Sequence, residues 1–76
     1  MNKDRRAQIT EITDQLDALK SDIESIRDEE QEYYDNMPDS IQQGAKGDAA
    51  DEAVTALDEA MDSIDSAMES ANGAAQ

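Results

Sequence analysis

The sequence predicts an all-α protein, an antiparallel two-helix hairpin of the coiled-coil type, which we expect to dimerise into a four-helix bundle. Two stretches of apolar residues recur at alternating intervals of three and four, the spacing of a helix that packs against another helix. Between them lies a segment with Pro38, Gly44 and Gly47, residue types that end or interrupt helices. We expect one domain over 1–76, with a first helix over about 3–35, a loop over 36–47, a second helix over about 48–72 and a frayed tail over 73–76.

The apolar spacing also predicts the core. Each helix has a heptad seam, a row of positions that faces the other helix. The first seam is Ile9, Ile12, Leu16, Leu19, Ile23, Ile26, Glu30, Tyr33 and Met37, and the second is Ala50, Val54, Leu57, Met61, Ile64, Met68 and Ala71. Facing residues of an antiparallel pair have numbers with a constant sum, and the seams match at a sum of 80. In this register Lys20 faces Asp58 and Arg27 faces Asp51.

Composition restricts the kinds of function. The 76 residues include 20 acidic and 6 basic ones, which give a formal net charge of -14, and there is no cysteine or histidine. Thiolate chemistry and a histidine base are excluded, and a narrow hairpin has no apolar pocket that would make a carboxylic acid a catalytic proton donor. We expect a non-enzymatic protein without cofactor or metal. Since no stretch is apolar enough for a secretory signal or a membrane span, we expect cytoplasmic localisation and no membrane partner.

The acidic residues of the second helix form a candidate binding surface. Spacings of three, four and seven residues on a rigid helix place carboxylates about 5–10 Å apart, comparable with phosphates along a nucleic-acid strand. One hypothesis is DNA mimicry, in which the protein does not bind nucleic acid itself but occupies the basic groove of a nucleic-acid-binding protein or nuclease complex. The candidate residues of this acidic face are Asp51, Glu52, Asp58, Glu59, Asp62, Asp65 and Glu69.

The alternative is a structural or adaptor module, a homodimer that forms a four-helix bundle without mimicry. Small residues make a second stripe on the second helix, which either reflects the high helix propensity of alanine or lets another helix approach closely. The dimer stripe consists of Ala49, Ala53, Ala56, Ala60 and Ala67. At the loop end, Tyr34 and Ile41 are candidate partner-binding residues, because exposed tyrosine is enriched at interfaces.

The N-terminal basic residues have a simpler expected role. Lys3, Arg5 and Arg6 are the only basic cluster of the chain. In the expected register they lie beside Glu69, where they complement the negative end of the second helix dipole. A phosphate-binding arm is the weaker interpretation, because the remaining surface would repel nucleic acid.

The loop carries a resemblance. Tyr34-Asp35-Asn36-Met37-Pro38, within the acidic stretch 29–42 and followed by Gly47 and residues 53–60, is similar to small acidic helical-hairpin proteins of bacteriophages and prophages. The likeness covers nearly the whole chain. It implies a bacterial host cytoplasm and an accessory role, for which inhibition of a host defence nuclease or nucleic-acid-binding complex is the expected activity.

Overall fold

The computed structural model describes all 76 residues, which form an elongated helical hairpin. Helix α1 spans Lys3–Asp35, α2 is a short helix at Asp39–Gln42, and α3 spans Ala45–Ala74. α1 packs along α3, and the Cα atoms extend over 58 × 15 × 11 Å. Neither long helix contains an apolar stretch that could cross a membrane.

α1 begins and ends where local chemistry requires it. The side chain of Asn2 caps its start, since Oδ1 accepts a hydrogen bond from the Arg5 N–H at 2.8 Å. Pro38 disfavours the helical conformation at the preceding Met37, and α1 ends at Asp35. Nε2 of Gln42 then donates to the Tyr34 carbonyl at 2.8 Å, so the turn satisfies one of the carbonyl groups left free at the end of α1.

α3 begins at Ala45, three residues earlier than expected, and continues to Ala74, while the expected loop contains α2. The residue before α3 is Gly44, whose carbonyl accepts a hydrogen bond from the Asp48 N–H at 3.0 Å. Gly47 therefore lies in the first turn of α3, where it is buried against the backbone of Gln42. Instead of loosening a loop, this glycine allows α2 and α3 to approach closely.

The predicted seam of α3 is confirmed. Ala50, Val54 and Met61 are buried. The other predicted positions are half-buried, namely Leu57, Ile64, Met68 and Ala71. This row packs against α1 along the length of the hairpin.

The predicted seam of α1 is wrong at every second position. Four of its residues are between 51% and 56% exposed, namely Ile12, Leu19, Ile26 and Tyr33. Their places in the contact are taken by buried or half-buried Thr13, Lys20, Arg27 and Tyr34. α1 is therefore rotated about its axis relative to the expectation, and only part of its apolar face covers α3.

The expected register is wrong as well. Nζ of Lys20 lies 2.7 Å from Asp65 and Nε of Arg27 lies 3.1 Å from Asp58. Both pairs have a sum of 85, whereas the expected pairs, Lys20 with Asp58 and Arg27 with Asp51, have a sum of 78. The salt-bridge partners on α3 thus differ from the expected ones by one heptad. The physical reason lies at the turn: a sum of 85 places Ala50 opposite the end of α1 at Asp35, and the preceding turn of α3 packs at Gly47 against α2 instead of against α1.

Gly47→Ala should destabilise the hairpin by about 1–3 kcal/mol, because the added Cβ would overlap the Gln42 backbone and force α2 and α3 apart. Gly73→Ala is the control, since a Cβ there meets nothing within 4 Å and should raise stability by up to about 1 kcal/mol. Urea unfolding at one protein concentration, followed by circular dichroism, measures both. A Gly47→Ala variant as stable as the wild type would contradict the close approach.

Candidate functional site

The two long sides of the hairpin differ in chemistry. Residues seven apart occupy the same angle around a coiled-coil helix, so each side is a set of heptad rows. What we call the acidic side consists of Asp17 and Glu24 on α1 and Asp51, Asp58, Asp62, Asp65 and Glu69 on α3, with Lys20 and Arg27 at its inner edge. What we call the apolar side consists of Ile12, Leu19, Ile26 and Tyr33 on α1 and Ala53, Ala60 and Ala67 on α3.

This division follows from the edges of the α1–α3 contact. On α3, Asp58 and Asp65 lie at one edge of the buried row, and half-buried Ala53 and Ala60 lie at the other edge. The salt bridges of Lys20 and Arg27 bring the first edge together with α1. Since the exposed apolar row of α1 lies beyond the opposite edge of its contact, it must flank the alanines of α3.

The centre of the acidic side is a shallow, open groove between α1 and α3. Six charged residues and Met61 line it, and the charged ones are Lys20, Glu24, Arg27, Asp58, Asp62 and Asp65. Nζ of Lys20 contacts both carboxylate oxygens of Asp65, at 2.7 and 3.0 Å. Nε of Arg27 lies near Asp58 without the geometry of a hydrogen bond, and NH1 lies 3.1 Å from Asp28. No set of three carboxylates converges closely enough to hold a metal ion.

The predicted acidic face divides into three groups. Asp58 and Asp65 are engaged with Arg27 and Lys20. Of the predicted residues, Asp51, Asp62 and Glu69 are exposed on the acidic side and form no salt bridge. Glu52 and Glu59 are exposed on the outer surface of α3, opposite its buried row, so they do not belong to the groove.

At the loop end the two tyrosines exchange their expected roles. Tyr34 is half-buried and its backbone carbonyl accepts the Gln42 hydrogen bond, whereas Tyr33, expected in the seam, is 52% exposed. Ile41 is 42% exposed, in agreement with an accessible position. Of the predicted loop-end pair, Ile41 is the accessible member.

The alanine stripe divides between edge and surface. Ala53 and Ala60 are half-buried at the margin of the contact, and Ala49, Ala56 and Ala67 are exposed. The sequence interpretation missed the large residues beside them, the row from Ile12 to Tyr33. The signal was present in the heptad pattern but was assigned to the core.

The N-terminal basic cluster is not paired as expected. Lys3, Arg5 and Arg6 are exposed, and none of them forms a salt bridge with Glu69 or any other acid. The register explains this, because a sum of 85 places Glu69 opposite Leu16 and not beside residues 3–6.

No protein-family model, curated protein or solved structure matches this chain. The functional interpretation therefore depends on the two sides of the hairpin.

A double-mutant cycle tests the register. Arg27→Met and Asp58→Asn should show a coupling free energy of about 0.2–1 kcal/mol, typical of a partly exposed ion pair. Arg27→Met and Asp51→Asn, the pair of the rejected register, should show none. Stabilities come from urea unfolding at a fixed protein concentration. Coupling to Asp51 that equals or exceeds coupling to Asp58 would overturn the observed register.

The Lys20–Asp65 pair predicts a pH dependence. The pKa of Lys20 is raised above its ordinary 10.5, first by its hydrogen bond to Asp65 and then by the negative charges of Asp65, Asp17 and Glu24. A raised pKa in the folded state means that the pair stabilises the protein fully below pH 10.5 and loses this effect as pH rises further.

The melting temperature of the wild type should therefore exceed that of Lys20→Met at about pH 8, and the gap should narrow as the pH rises above 10.5. A gap that is constant across this range would show that the ammonium charge of Lys20 does not act through Asp65.

Proposed function

We propose that this protein is a non-enzymatic binding module that presents its acidic side to the basic groove of a nucleic-acid-binding protein, as a DNA mimic. The observation that supports this function is the separation of charge. Over residues 10–31 of α1 and 51–69 of α3 the acidic side carries seven carboxylates and two cations, Lys20 and Arg27, both of which are held in ion pairs. Lys3 and Arg6 belong to the same heptad rows but lie at one end of the rod, so along the groove a target would meet a negative surface without free positive groups.

The arrangement of the carboxylates adds to the proposal. Asp58, Asp62, Asp65 and Glu69 follow one another at intervals of three or four residues, so each rises about 4.5–6 Å along α3. Asp17 and Glu24 form a second line on α1, and the axes of packed helices lie about 8–10 Å apart. Two lines of negative charge on a rigid rod match the general form of a duplex backbone, although at lower charge density.

The resemblance to phage and prophage hairpin proteins supports a host target for this mimic. On this proposal the partner is a defence nuclease or a nucleic-acid-binding complex in the bacterial cytoplasm, and the outcome is inhibition. The net charge of -14 would accelerate encounter with a basic groove by long-range attraction. The basic residues Lys3, Arg5 and Arg6, which lie at one end of the rod, need not enter the groove.

The second candidate is a homodimeric structural or adaptor module, a four-helix bundle without mimicry. One observation favours it: the apolar side leaves Ile12, Leu19 and Ile26 more than half exposed. Two hairpins in a bundle would cover this side. Such a module would bind other proteins through the loop end, at Ile41 or Tyr34, with little dependence on salt.

Neutralising three exposed acids of the acidic side tests the mimic. Asp51→Asn, Asp62→Asn and Glu69→Gln together should reduce target binding at least about tenfold, because they remove charge that faces the groove. The control carries the same loss of charge on the outer surfaces, as Glu11→Gln, Glu52→Gln and Glu59→Gln, and should bind within about threefold of the wild type.

The target for this test is captured from bacterial lysate at low salt and purified, and binding is measured with and without competing duplex DNA. The mimic predicts competition by DNA and elution by salt. Equal losses of target binding in both variants would show that binding depends on net charge alone and would contradict a specific role of the acidic side. A partner that resists salt, ignores DNA and depends on Ile41 would support the adaptor instead.

A further inference from the structure

We propose, resting on the homodimeric candidate above and deepening it, that the apolar side is a self-association surface on which α1 of each copy lies along α3 of a second copy. The occupant of this face is thus another molecule of the same chain. Four features of the hairpin lead to this choice: an incomplete core, matched side-chain sizes, the charges at the borders and the area of the side.

The core of a single hairpin is small. Only 6 of the 76 residues are buried, and no large side chain is completely enclosed. Chains of about this size are marginally stable unless a partner or a covalent staple adds to the core. The four large residues of the apolar side on α1, which are more than half exposed, are the natural additional core.

The two rows of the apolar side complement each other in size. α1 contributes three large aliphatic residues and Tyr33, whereas α3 contributes alanines. Placing α1 of one copy on α3 of the other puts large side chains against small ones, which is how helical layers interdigitate without gaps. Placing α1 on α1 would crowd large residues and leave the alanines of both copies without a close neighbour.

The charges at the borders favour the same pairing. On α1 the row beyond the apolar side includes Asp22 and Glu29. On α3 the corresponding border is uncharged and consists of Ala49, Ala56, Ser63 and Ser70. α1 on α3 therefore brings the two acids of each copy to a neutral border, whereas α1 on α1 would bring like charges together. A basic partner would be expected to meet acids on both borders, and α3 has none there.

The size of the hairpin allows an interface of standard area. The whole face to which the apolar side belongs measures 58 × 15 Å between the outermost Cα atoms, so one copy can cover up to about 870 Å² in projection. A standard interface buries roughly 800 Å² on each partner. In this arrangement both acidic sides remain at the outside of the bundle, on opposite faces, so dimer formation and target binding use different surfaces.

The first test is the oligomeric state of the wild type by sedimentation equilibrium. The expected mass is twice 8.3 kDa, and dimerisation should tighten as salt rises, because screening reduces repulsion between two chains of charge -14. Target binding by the acidic side has the opposite salt dependence, so the two proposals can fail separately. A mass of 8.3 kDa at every salt concentration up to millimolar protein would overturn self-association.

Variants locate the surface. Ile26→Glu should weaken the dimer at least about 100-fold, since it places a charge in an apolar contact. Ser25→Glu adds the same charge on the outer surface of α1 and should leave the dissociation constant within about threefold of the wild type. Because Ile26 is 56% exposed in the single hairpin, the variant should keep its helical circular dichroism. Equal dimerisation by both variants would show that this side is not the interface.

The pairing mode has its own test. If α1 lies on α3, Glu29→Gln should tighten the dimer no more than Glu32→Gln, which removes the same charge from the outer surface of α1. If α1 lies on α1, relief of repulsion between the two Glu29 carboxylates should tighten the dimer well beyond the control. The second result would overturn the proposed pairing.

Discussion

The edge at which α1 meets the acidic row of α3 determines which acidic and apolar side chains of this hairpin stay exposed and available for binding. Lys20 and Arg27 reach Asp65 and Asp58 across that edge, and both basic side chains are half-buried there. This orientation removes two acids of α3 from the free acidic surface. It also turns the row from Ile12 to Tyr33 out of the contact.

The same edge explains why the second seam could be predicted and the first could not. α3 has large apolar side chains in only one pair of rows, so a single orientation buries them. On α1 the row of Ile9, Leu16 and Ile23 has two neighbouring rows of different chemistry. One is apolar, with Ile12, Leu19 and Ile26, and the other is polar, with Thr13, Lys20 and Arg27. The heptad pattern predicted that the row of Ile9 packs against α3 together with the row of Ile12. In the structure the row of Ile9 packs together with the row of Thr13, because Lys20 and Arg27 reach α3.

The register could not be predicted from the apolar spacing, for a related reason. A heptad repeat fits its partner again after a shift of seven residues, so spacing alone does not choose among registers. The turn makes that choice, and its decisive feature is Gly47 against the Gln42 backbone. The start of α3 at Ala45 has no capping side chain by which it could be predicted, because the residue before it is Gly44. The acidic residues of the candidate site were all recognisable, but their division between groove, ion pairs and outer surface required the tertiary contact.

A hairpin with one charged and one apolar side can carry two kinds of interaction at once. The apolar side, covered by a second copy, would complete a core that a single chain leaves small. The acidic sides of both copies would then face outward on a rigid bundle, where each could bind a basic groove. Salt has opposite effects on the two contacts, because it screens repulsion between copies and also screens attraction to a basic target.

The most direct test of this two-sided structure is single-cysteine labelling, for which the cysteine-free chain is well suited. Ile26→Cys reports on the apolar side and Glu24→Cys on the acidic side, only two residues away. Thiol labelling at rising protein concentration should become slow for Cys at position 26 as the dimer forms, and should stay fast at position 24. Equal rates at both positions at every concentration, whether fast or slow, would contradict the division of the hairpin into an acidic and a self-associating side.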